Sequence, residues 1–111
     1  MTNTFDACII NLTPHTINIV HDNEITVVEP ELKTARVSSK LEVVGYINNG
    51  IPLYDTVYGD VIDLPEPQTG VVYVVSRIVK NCVPHRKDVL VPGNPLRDDT
   101  GNVIGCNGLS Y

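Results

Sequence analysis

Turn residues interrupt this chain so often that only one stretch repeats its apolar side chains at a helical spacing. Ile78, Val79, Cys82 and Val83 fall at i, i+1, i+4 and i+5, one face of about two helical turns. Ser76 supplies a cap before them and Pro84 a stop after them. Everywhere else, Pro, Gly, Asn and Asp bound short β-prone runs.

The first run is Ala7 to Leu12, broken by Thr13-Pro14-His15, because Pro14 lacks an N–H and holds Thr13 extended. Thr16 to Val20 alternates polar and apolar, the period of a half-buried strand, and the turn His21 to Glu24 returns it through Ile25 to Val28. Thr34 to Ser38 and Leu41 to Ile47 read as extended segments. Asn48-Asn49-Gly50 is a hairpin turn, since Asn and Gly take positive φ cheaply, and Ile51 to Tyr58 is its partner strand. Gly59 to Asp63 reads as a short connection or strand, and Leu64 to Gly70, with two prolines, reads as loop.

Val71 to Ser76 is the most β-prone run and is apolar on both faces, so it is predicted to be the central strand. After the helix, Asp88 to Val91 is a short strand, and a closing hairpin turns at Asp99-Thr100-Gly101. The reading is a single domain over residues 1–111, mainly β (α+β). It is expected to be a small β-sandwich or half-open barrel of short antiparallel strands, with one short helix near 76–83.

Charged residues make up 19% of the chain, fewer than the roughly one quarter usual for globular chains, which leaves part of the surface to be covered by a second copy. The net charge of −5 argues against DNA or RNA as partner, because affinity for a polyphosphate backbone needs a positive field. A small anion is different, since a few arginines hold it locally. The three cysteines, Cys8, Cys82 and Cys106, are widely spaced. They read as buried free thiols of a reducing cytosol, with no metal site and no cofactor. The opening residues carry no basic-then-apolar signal and no apolar run approaches ~20 residues, so no membrane partner and a cytoplasmic location are expected.

Cationic and polar groups gather at a few points in this acidic chain. Asn11, Thr13 and His15 leave one strand end within a few residues, either to rim a site or to satisfy a turn. Arg36 lies on an extended segment, as an anion clamp or as one half of a surface ion pair. Ser76 and Arg77 mark the helix start, where Ser76 is either cap or ligand group. His85, Arg86 and Lys87 leave the helix end. Asp88 is placed to orient Arg86 or Arg97, and Arg97 follows the proline-flanked Gly93-Asn94. Nothing reads as a nucleophile elbow, a Gly-rich phosphate loop or an acidic metal cluster, so no catalytic residue is assigned.

Several of these residues together resemble a family of small proteins found in phages, prophages and bacteria. They are Asn11-Leu12-Thr13-Pro14-His15, Ala35-Arg36-Val37, Leu64-Pro65-Glu66-Pro67, Tyr73 to Ser76, Pro84-x-Arg86-x-Asp88-Val89 and Arg97-Asp98 with Ile104-Gly105-Cys106. By type, the chain is similar to phage sponges that sequester nucleotide signals of bacterial immunity. That likeness implies non-enzymatic capture of a cyclic nucleotide or ADP-ribose-type ligand in the host cytoplasm, by a homo-oligomer. Arginines would clamp phosphates, and Tyr46, Tyr54, Tyr58 or Tyr73 would stack a base. Two other readings stay open: a small phosphodiesterase using His15 and His85, and a protein-interaction or inhibitor module working through an exposed strand edge.

Overall fold

A computed structural model describes residues 6–111. Among the described residues the chain is mainly β, with one short helix and no closed barrel. Its strands are β1 (Cys8–Asn11), β2 (Ile17–His21), β3 (Glu24–Val28), β4 (Arg36–Ile47), β5 (Ile51–Ile62) and β6 (Val71–Val74). After the helix α1 (Arg77–Cys82) come β7 (Val89–Pro92), β8 (Pro95–Arg97), β9 (Val103–Cys106) and β10 (Leu109–Ser110). They form a sheet of order β1-β6-β7-β10, a second of order β3-β2-β9-β8, and a separate two-stranded hairpin β4-β5.

The first sheet is the middle of the molecule, and β6 is interior to it, as its apolar run requires. Its side chains alternate between two cores. Tyr73 and Val75 face a cluster with Leu12, Ala35, Val79, Val89 and Val91, which brings in α1 and, at its margin, Val37 and Val61 from the hairpin's root. Val74 faces the other way, onto Ile17, Ile19 and Cys106 of the second sheet. In β1, Ile10 joins the first cluster and Ile9 the second.

Strand direction departs from the expected antiparallel pattern. β1 runs parallel to β6, β6 parallel to β7, and β2 parallel to β9. Parallel neighbours need a crossover, and α1 supplies it between β6 and β7. Helix and flanking strands therefore belong to one β-α-β unit, which turn chemistry alone does not reveal. The cysteine reading also needs correction, because only Cys106 is buried, while Cys8 and Cys82 are exposed.

The hairpin is longer than its sequence suggested. Segments 34–38 and 41–47 merge into β4, and 51–58 and 59–63 merge into β5, with irregularities between Val37 and Ser39 and between Val43 and Gly45. Asn48 and Asn49 take positive φ at the turn, as expected. Beyond its root the hairpin leaves the body as an arm. The molecule accordingly measures 57 × 39 × 33 Å, with a radius of gyration of 17.6 Å, against the about 13 Å of a compact chain of this length.

Candidate functional site

Asn11, at the end of β1, is fully buried and organises the loop that follows. Its Nδ2 donates to the carbonyls of His15 (2.7 Å) and Val28 (2.9 Å). Its Oδ1 accepts from the Thr13 backbone N–H (2.9 Å) and the Thr13 hydroxyl (2.7 Å). Every polar valence of the amide is thereby used, and Thr13-Pro14-His15 is pinned between β1 and β3. Asn11 shapes the rim of a site without a free group to offer a ligand. His15 is held through its backbone, and its side chain is exposed to a cleft.

That cleft, ≈ 540 Å³, runs between the pinned loop and the second sheet. Thr13, His15 and Ser76 give it polar points, and Ile17, Val75, Pro92, Pro95 and Ile104 give it apolar walls. Gly105 lets β9 approach β2 closely along its edge, since a Cβ there would meet the Asn18 carbonyl oxygen at 2.7 Å. A smaller cleft of ≈ 270 Å³ lies on the other side of the same loop, between Thr34–Val37 and the start of α1, and Arg36 lines it. Thr13, Pro14 and Ser76 belong to both clefts and form a shared wall. A third depression, ≈ 490 Å³, is bordered by Glu31, Lys33 and Asp63.

The structure brings Thr13, His15, Ser76 and Arg36 to this double cleft and leaves the other cations elsewhere. Arg36 pairs with Asp63 at 3.4 Å, and its side chain is 62% exposed. An ion pair this exposed is worth under about 1 kcal/mol and exchanges readily for another anion. Ser76 caps α1 by accepting from the Val79 N–H (3.4 Å), the first of its two sequence readings, and it also lines both clefts. Arg77 donates to the main-chain oxygen of Tyr111 (3.1 Å), and Arg97 to the Gly101 carbonyl (2.8 Å). Neither lines either cleft. His85 lies exposed in the connection after α1 and lines neither cleft, so it is not brought to His15 there.

Arg86 and Asp88 form a two-pronged pair: Nε to Oδ1 at 3.1 Å and Nη2 to Oδ2 at 2.7 Å, both side chains largely buried. The hydrogen bonds from Arg86 hold the Asp88 carboxyl below the usual carboxylate range, and the same bonds raise Arg86. Beside them the buried Lys80 donates to the Arg86 carbonyl (2.7 Å), and burial lowers its pKa. Lys87 lies 4.8 Å from the centroid of the Tyr111 ring. This basic cluster is built to close the helix end against β7, and its guanidinium is already committed to Asp88.

Sequence reading missed the apolar half of the site. Pro92, Pro95 and Ile104 come from chain segments far from Thr13: the β6–β7 pairing carries Pro92 in the first sheet, and the pairing of β9 with β2 and β8 carries Ile104 and Pro95 in the second. Among the described residues no group of three or more His, Cys, Asp or Glu is placed to hold a metal ion, and no helix is long and apolar enough to cross a membrane. No family model, no curated protein and no solved structure matches this chain.

Proposed function

We propose that the protein binds a small phosphate-bearing nucleotide and holds it without turning it over. The flat, apolar part of the ligand occupies the larger cleft, and its anionic end crosses the Thr13–Ser76 wall to Arg36. The observation that carries this reading is the shared wall, which sets an apolar cleft of ≈ 540 Å³ next to a smaller one bearing an exposed guanidinium. Ligand pockets have this volume and character: mostly apolar lining with a few placed polar groups. Arginine suits the phosphate end, because its planar fork matches phosphate oxygens. The resemblance to phage and prophage proteins supplies a setting, in which capture of an immune nucleotide signal silences it without cleavage.

The test is a thermal-shift panel of cyclic dinucleotides and ADP-ribose isomers, followed by chromatography of the ligand released on denaturation. A ligand at a hundred times its Kd adds about 2.7 kcal/mol of stability, on the order of 10 °C in melting temperature for a chain of this length. The expected result is such a shift with one ligand, recovered intact, and weakened at least tenfold in affinity by Arg36→Ala. Shifts below a degree across the panel sink the reading, and recovered cleavage products replace it with the hydrolase alternative.

A further inference from the structure

The β4–β5 arm carries a segregation that ligand binding at the cleft does not use. Its register pairs Tyr46 with Pro52, Val43 with Tyr54, Leu41 with Thr56 and Ser39 with Tyr58. Cross-strand partners share a face, so these side chains lie together on one side of the arm. The other face carries Ile47 with Ile51 and Gly45 with Leu53 at the tip, then Glu42 with Asp55 and Lys40 with Val57. Val44, left unpaired at the irregularity between Val43 and Gly45, keeps Tyr46 in phase with Val43 and Leu41. The first face is uncharged and aromatic-rich, and it is open to solvent: Leu41 is 64% exposed, Tyr46 68%, and Tyr54 and Tyr58 51% each.

We propose that this face is the interface of a two-fold dimer of the chain, in which the arms of two copies pack face to face through Leu41, Val43, Tyr46, Tyr54 and Tyr58. A two-stranded hairpin in water is marginal by itself and needs further strands or a packed face to persist. The exposed apolar area of those five residues is on the order of 450 Å², within the range of the largest patch that a monomer leaves uncovered. It is also the apolar share of a standard interface of roughly 800 Å² per partner. Charge selects a second copy as the occupant. The whole chain carries −5, but this face carries none of it, and Glu42 and Asp55 lie on the opposite side. Two copies therefore meet along this face without opposing like charges, as a self-complementary contact requires.

Sedimentation equilibrium at tens of micromolar protein tests the proposal. Wild type is expected at twice the 12.2 kDa of one chain. Tyr54→Lys is expected to weaken association at least a hundredfold, and Glu42→Lys, on the other face, to leave it unchanged. A wild-type chain at single-chain mass gives the face to some other occupant and overturns the proposal, as does a Tyr54→Lys variant that associates like wild type. Should the lysine variant fail to fold, alkylation rates replace it. In a Cys8→Ser/Cys82→Ser background, Thr56→Cys is expected to be alkylated at least tenfold more slowly than Asp55→Cys above the dimer midpoint. Equal rates at the two positions overturn the interface.

Discussion

Asn11 shows how much of this site is settled by a single buried amide. Its two donors and its carbonyl oxygen together serve the His15 and Val28 carbonyls and two groups of Thr13. Asn11→Ala removes all four contacts: the Val28 carbonyl and the Thr13 N–H lose the partner Asn11 gave them, while the His15 carbonyl keeps the Thr13 hydroxyl, and a buried group left unpaired costs about 1–3 kcal/mol. Denaturant unfolding is expected to show a loss of about 3 kcal/mol, with unchanged m value; a loss below about 1 kcal/mol shows that the loop holds itself. A second residue-scale expectation concerns acid. The hydrogen bonds from Arg86 keep the Asp88 carboxyl below its unfolded range. Between the two values the folded state holds fewer protons than the unfolded one. The pair's contribution is therefore present above pH about 4 and is lost as pH falls through the folded value. Asp88→Asn leaves the Arg86 charge largely buried and unpaired, costing about 2–3 kcal/mol at neutral pH. Its melting temperature is expected to fall less steeply than wild type between pH 4 and pH 2. Parallel curves for the two proteins contradict this assignment.

At the scale of elements, legibility followed from whether local chemistry or long-range pairing fixes the structure. The helix was legible because Ser76, the Ile78-Val79/Cys82-Val83 spacing and Pro84 are all local, and the cap bond from Val79 to Ser76 is made. The central position of β6 was legible because Val71 to Val75 is apolar on both faces, and the two cores claim alternate residues of it. The Asn48-Asn49-Gly50 and Asp99-Thr100-Gly101 turns were legible from residues that accept positive φ. Parallel pairing was not, because nothing local in Ile19 or Cys106 records that they lie side by side. The larger cleft was hidden for the same reason: its polar lip is a sequence motif, but its apolar walls come from strands of two sheets that only long-range pairing brings together. The arginines were legible as a group, but only Arg36 among them lines the double cleft. Arg86 and Asp88 sit two residues apart and satisfy one another, while Arg77 and Arg97 close on main-chain oxygens.

The molecule as a whole divides its work between a body and an arm. Both cores lie in the body, and the arm contributes to them only at its root, through Val37 and Val61. Body stability and arm association are therefore separable in principle, and shortening the arm measures how far. Joining Ser39 to Tyr58, which are cross-strand partners, through a two-residue Asn-Gly turn keeps the register at the root and supplies a turn whose twist suits a hairpin. The shortened chain retains Val37, Val61, Arg36 and the double cleft. It is expected to fold with melting within about 5 °C of wild type below the dimer midpoint, since none of the removed residues belongs to either core. Small-angle scattering is expected to give a radius of gyration near the about 13 Å of a compact chain, against 17.6 Å for one intact chain, at single-chain mass at every concentration. Its ligand affinity is expected to match wild type, because the cleft lies wholly in the body and the arm root. A shortened chain that is unfolded makes the arm part of the folding unit. One that is folded but blind to ligand places the arm, or the second copy it recruits, in the binding site itself.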